Sequence, residues 1–321
     1  MKLSEPGRRL HSAGPAYTLL VFTMACWAGN AVVSRLAVGE VSPMVIVSLR
    51  WAMVSVLLLG MGPQRLVQAW PEIRRNARKI VLMGASGFTV FNAMFYVAAH
   101  YTTAVNIAIL QGAIPVFVVL GTVFLQGARV GLVQTLGIAA TLVGVVVVTT
   151  SGDPTALANL QLNAGDALML VACFLYSGYT LALRDRPNLP NLVFFTAMAF
   201  VAFVTSLPLL AYEVVAGTVL WPTAYGWALL LFVALFPSFL AQLAFMRGVQ
   251  LIGPGRAGLF ANLTPVFGAF LAVVILGEPF GLFHFVALVL VVGGILLAET
   301  SGRSRAAAAA RKADEAQAPG S

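Results

Sequence analysis

The side chains of this sequence that could recognise another molecule are few, and they come in pairs. Asn92 and Gln242 stand 150 positions apart, and both are amides able to donate and accept hydrogen bonds. Phe95 and Tyr96 follow Asn92 at helical spacing, and Phe245 follows Gln242 in the same way. At an offset of 149, Trp27 pairs with Tyr176 and Asn30 with Tyr179. Gln111 and Asn262 each lie within one turn before Pro115 and Pro265. Amides beside aromatic rings suit non-covalent recognition, with hydrogen bonds for a polar end and ring faces for an apolar body. A second reading stays open: such amides also bond helix to helix, and polar groups beside a proline satisfy freed backbone atoms.

Two ionisable residues join the candidates. Arg50 lies about six residues, or about 9 Å, inside an apolar run. Central insertion of Arg costs about 2.5–3.5 kcal/mol on insertion scales, and snorkelling reduces that. It is expected at the outer mouth of a cavity, where it would attract a carboxylate. His284 lies about one turn inside the last apolar run, aligned with Gln134, and can serve either as a coupling group or as a packed neutral ring. Asp166, Glu213, Glu278 and Glu299 all fall near run ends. Proton-driven exchange of cations is therefore not expected, since it needs a carboxylate deep in a span. Multiply charged phosphates are not expected either, because buried Lys and Arg are lacking.

Covalent chemistry finds no foothold. Gly253 to Gly258 spells GxGxxG, but no βαβ unit surrounds it. Asn262-Leu263-Thr264 matches a glycosylation sequon inside an apolar run. His11, His100 and His284 are widely separated, and Cys26 and Cys173 read as inert buried thiols. No enzyme activity, cofactor, metal or nucleic-acid partner is expected. The expected partners are a small-molecule substrate and membrane lipids, and the sequence is compatible with a homodimer.

The elements that must hold these residues are membrane helices. The chain is 60% hydrophobic and 9% charged, against roughly a quarter charged in soluble domains. Apolar runs near the length of a bilayer crossing recur throughout. They predict ten spans at 16–36, 44–61, 80–98, 103–124, 131–150, 165–183, 192–212, 225–246, 255–276 and 280–298. The Pro115-Val116-Phe117 and Pro265-Val266-Phe267 runs repeat, followed in register by Gly127 and Gly277, Gly131-Leu132 and Gly281-Leu282, and Gly144 and Gly294. Five spans per copy turn the second copy upside down. The expected fold class is all-α integral membrane, two inverted five-helix repeats around a central cavity. The prolines are expected as symmetric hinges.

Of the 19 Lys and Arg residues, all but Arg35 and Arg50 fall on one side if the N-terminus is cytoplasmic, so both termini are expected there. The Arg8-Arg9 pair before the first run is read as flanking a retained helix. The expected divisions are a cytoplasmic tail at 1–15, repeats at 16–150 and 165–298, a periplasmic linker at 151–164 and a disordered cytoplasmic tail at 299–321.

Ala25-Cys26-Trp27-Ala28-Gly29-Asn30, then Arg35, Pro43 and Arg50-Trp51, together with the repeated Pro-Val-Phe and Gly277-Glu278, resembles the EamA family of the drug/metabolite transporter superfamily. The first half departs from that pattern, with Gly127-Ala128 in place of Gly-Glu. The resemblance implies an inner-membrane exporter of amino acids or other small metabolites, built as a basket around a cavity. The residues suit a small neutral or zwitterionic substrate moved by alternating access. The alternatives are a multidrug or proton-coupled exporter and a non-transporting membrane scaffold.

Overall fold

The structure is a computed structural model and describes residues 13–127, 131–153, 163–252, 257, 260, 261 and 263–298. The regular structure among these residues is helical. Helices α1 (Ala13–Leu36), α2 (Pro43–Gly60), α3 (Pro63–Arg75), α4 (Ala77–Ala98) and α5 (Ala104–Leu125) come first. They are followed by α6 (Leu132–Thr149), α7 (Ala164–Ala182), α8 (Asn191–Val215), α9 (Ala224–Ile252), α10 (Leu263–Leu276) and α11 (Leu282–Ala298). Seven of them are long and apolar enough to cross a membrane, and α6, α10 and α11 are shorter apolar helices.

Local chemistry sets the boundaries. Pro43 opens α2, where a missing N–H does no harm. Side chains of Thr103, Asn163 and Thr223 accept hydrogen bonds from the first turns of α5, α7 and α9. Gly127 and Gly277 end equivalent helices in the left-handed conformation, with φ of 63° and 65°. That requirement explains the repeated glycine. Helix α3 was not foreseen, because it is polar. It turns Leu66, Ala69 and Ile73 inward and exposes Val67, Trp70 and three arginines, the composition of a helix lying along a membrane surface.

The repeated prolines break their helices. Pro115 has no N–H for the carbonyl of Gln111. The amide of Ile114 takes that carbonyl at 3.1 Å instead, and α5 is interrupted at Gln111-Gly112. The same exchange joins Thr264 to the carbonyl of Ala261 at 3.1 Å, one turn before Pro265. A second pair of irregularities has no counterpart in the sequence reading. Residues Ala85–Val90 of α4 and Ala234–Leu240 of α9 form π-helical turns. They stand at equivalent positions of the repeat, immediately before Asn92 and Gln242.

The packing repeats as well. Helix α1 packs against α9 and α10, and α7 against α4 and α5. Helices α2 and α8 lie side by side and antiparallel. Ser42 donates to Glu213 at 2.5 Å at one end, and Leu58 and Thr196 line one crevice at the other. Helices α6 and α11 cross closely and antiparallel. A Cβ on Gly137 would stand 2.5 Å from the carbonyl oxygen of Gly294, and one on Gly144 2.9 Å from that of Ala287. Between these contacts Thr141 donates to the carbonyl of Val291 at 3.5 Å.

Glu278 ties the two parts together. Its carboxylate oxygens accept from the amides of Ala104 and Val105, each at 3.0 Å, which caps the buried start of α5. Arg35 lies 3.9 Å from that carboxylate and donates to the carbonyl of Ala99.

Candidate functional site

Between α1, α2, α4, α5 and their counterparts lies a central cavity of about 190 Å³. Trp27, Asn30, Asn92, Gln111, Tyr176 and Gln242 of the expected set all line it. Pro115 and Pro265 line it too. The π turns explain why α4 and α9 reach the wall: an extra residue per turn re-aims the side chains that follow, and such turns recur at functional sites.

Polar groups of the cavity form a connected network. In α9, Pro237 leaves the carbonyl of Val233 without its usual partner, and the Ser238 hydroxyl donates to it at 2.6 Å. That hydroxyl accepts from Nε of Arg50 at 2.8 Å. Nη1 of Arg50 donates to Oδ1 of Asn92 at 2.6 Å and to the Tyr96 hydroxyl at 3.1 Å. Tyr96 passes the chain on, donating to Oδ1 of Asn30 at 2.7 Å. The Asn92 amide donates back to the carbonyl of Phe88. Trp27 donates from Nε1 to the carbonyl of Pro237 at 3.1 Å. The Gln242 side chain makes no hydrogen bond to any described residue, so its amide is available to a ligand.

Aromatic faces complete the wall. Trp51 stacks on Phe88 at 4.7 Å, and Phe91 packs against Tyr176 at 4.7 Å. Phe88 also meets Phe195 edge-on at 6.3 Å. The chemistry available is hydrogen bonding and ring contact, with one fixed positive charge.

Several expectations are corrected here. Arg50 is not at the cavity mouth: it is 4% exposed and turned inward onto the central wall. Snorkelling is not needed once Ser238, Asn92 and Tyr96 receive the guanidinium. Tyr96, 1% exposed, stands behind the wall as a relay. Tyr179 also lies behind the wall. Its ring packs on Gly87, where a Cβ would come within 2.4 Å of it, so glycine is required for that approach. Phe245 packs on Trp27 at 5.3 Å without lining the cavity. His284 lies away from the cavity, its Nδ1 accepting from the amide of Gly281 at 3.0 Å at the start of α11. Asn262 and, apart from Ala257, the GxGxxG stretch fall outside the described residues. The wall residues missed by sequence reading include Trp51, Phe88, Phe91, Phe195 and Ser238. The Arg50-Trp51 dipeptide and the Pro237-Ser238 step were the available signals.

Comparisons with known proteins place the chain in a family. The family model described as the EamA-like transporter family matches residues 14–150 and again 163–300. The uncharacterized transporter YetK of Bacillus subtilis (strain 168) is 26% identical over 284 residues, covering 88% of this chain and 86% of that protein. The uncharacterized inner membrane transporter YedA of Escherichia coli (strain K12) is 24% identical over 286 residues, covering 88% and 90%. One solved crystal structure superposes with a TM-score of 0.61 at 18% identity, over 89% of this chain and 97% of that one, a likeness of fold.

Proposed function

This chain belongs to the EamA-like transporter family, and on that premise we propose that it carries small neutral or zwitterionic metabolites, amino acids foremost, across the inner membrane by alternating access. The observation that carries the reading is the central cavity, lined from both parts of the chain by amides and aromatic rings. Its walls include both helix breaks, at Pro115 and Pro265. Interrupted helices around a midplane site are how many secondary transporters hold substrate and change shape.

The antiparallel contacts support an inverted arrangement of the repeats. A two-fold axis that swaps the halves exchanges the Gly137–Gly294 contact with the Ala287–Gly144 contact, and it passes beside Thr141 and Val291. Antiparallel helices exchanged by such an axis put it perpendicular to them, hence in the membrane plane. The repeats then correspond to 16–150 and 165–298, with both termini in the cytoplasm on the charge argument.

The test is uptake of radiolabelled amino acids into liposomes holding the purified protein, with and without a pH gradient. Saturable uptake of an aromatic or branched amino acid, reduced in Asn92→Ala and Gln242→Ala, supports the reading. Liposomes that take up none of them overturn the substrate assignment.

A further inference from the structure

Among the cavity's lining residues, Arg50 alone carries a charge at neutral pH. Its side chain is buried at 4% exposure, and no Asp or Glu among the described residues lies within ion-pairing distance of it. Its hydrogen-bond partners are neutral: Ser238, Asn92 and Tyr96. A guanidinium offers five N–H donors. Those bonds use Nε and Nη1, and both protons of Nη2 are left without a partner among the described residues. Beside it, Cζ of Arg50 lies 5.2 Å from the Trp51 ring centroid, and the indole N–H of Trp51 is buried without a hydrogen-bond partner. A buried cation with open donors and no counter-ion is an expensive arrangement unless an anion completes it.

We propose that Arg50 forms a carboxylate subsite of the central cavity, taking a small monocarboxylate whose apolar or aromatic body packs against the surrounding rings. The proposal rests on the transport reading and names the carboxylate as the group that the site recognises. A planar guanidinium pairs with a carboxylate through two parallel bonds. A single positive charge matches one carboxylate and leaves a phosphate dianion half-neutralised. No acidic side chain lines the cavity, so an ammonium group meets only amide oxygens such as that of Gln242. The carboxylate is therefore essential to recognition, and the amino group is dispensable.

Isothermal titration calorimetry on the detergent-purified full chain tests this with phenylacetate, L-phenylalanine, phenylacetamide and phenethylamine. Phenylacetate and phenylalanine are expected to bind roughly 10- to 100-fold more tightly than phenylacetamide, the span of a charge-assisted hydrogen bond. Phenethylamine is expected to bind no better than the amide. In Arg50→Gln the acid-to-amide ratio falls to within about twofold while the amide still binds, which a merely structural role for Arg50 would not produce. Should that variant fail to fold, the wild-type chain supplies the answer. Phenylglyoxal modification of Arg50, read by peptide mass spectrometry, is then slowed by phenylacetate and not by phenylacetamide. Equal binding or equal protection by acid and amide overturns the carboxylate subsite and leaves the transport reading standing. A folded wild-type protein that binds none of the four probes overturns both.

Discussion

Removing the Ser238 hydroxyl probes the join between the two parts of the protein. In Ser238→Ala the carbonyl of Val233 loses a donor at 2.6 Å, and Nε of Arg50 loses an acceptor at 2.8 Å. The first bond is neutral and worth about 0.6 kcal/mol by the average of hydrogen bonds measured within membranes. The second involves a charged donor and is worth about 1.5–3 kcal/mol. Together they predict a loss of about 2–3.5 kcal/mol. A double-mutant cycle with Arg50→Met separates the parts. Unfolding of the purified protein in a fixed detergent, followed by circular dichroism, is measured for wild type, both single variants and the double variant. The expected coupling between the two sites is about 1.5–3 kcal/mol. A coupling under about 0.5 kcal/mol would refute the claim that Ser238 holds the guanidinium, since independent sites add within that margin.

Gly87→Ala drives a methyl group into the Tyr179 ring, 2.4 Å from the nearest atom, and is expected to destabilise by about 1–3 kcal/mol. Gly178→Ala on the facing helix meets nothing within 4 Å and should be neutral or stabilising in the same melt. Glu278→Ala removes the acceptor for two backbone amides of α5 and should cost roughly 0.5–2 kcal/mol, with Glu278→Gln intermediate. Burial, helped by Arg35 and opposed in part by Glu213, pushes the His100 imidazole below its usual value. The unfolded chain then holds more protons than the folded one in the window from about 6.5 downward. Stability is full above that window and declines as pH falls through it. His100→Gln should flatten that decline in melts taken between about pH 5 and 8.

What could be read in the sequence follows from what each feature depends on. The apolar runs and the repeated Pro-Val-Phe segments depend on local composition, and the helices lie close to the expected spans. Helix α3 escaped because its apolar residues, Leu66, Ala69 and Ile73 inward with Val67 and Trp70 outward, are spread among charges and never form a run. The π turns escaped because they need only one extra residue per turn, and no residue type demands that. Arg50 was placed too far out because its inward turn depends on Ser238, 188 positions away, and such a partner is set by tertiary packing. Asn92 and Gln242 were legible through the repeat, which reports equivalence of position without needing contact. Tyr179 was equally well marked by the repeat but stands behind the wall, since equivalence does not say which neighbour covers a ring.

A single cysteine at Gln242, in a background with Cys26 and Cys173 replaced, tests alternating access most directly. Both native thiols are buried, so their removal leaves little exposed surface changed. A membrane-impermeant thiol reagent is applied to sealed vesicles of each orientation. The account predicts labelling from both sides, slowed on both by a transported substrate. Labelling from one side alone, unaffected by any substrate, would contradict it.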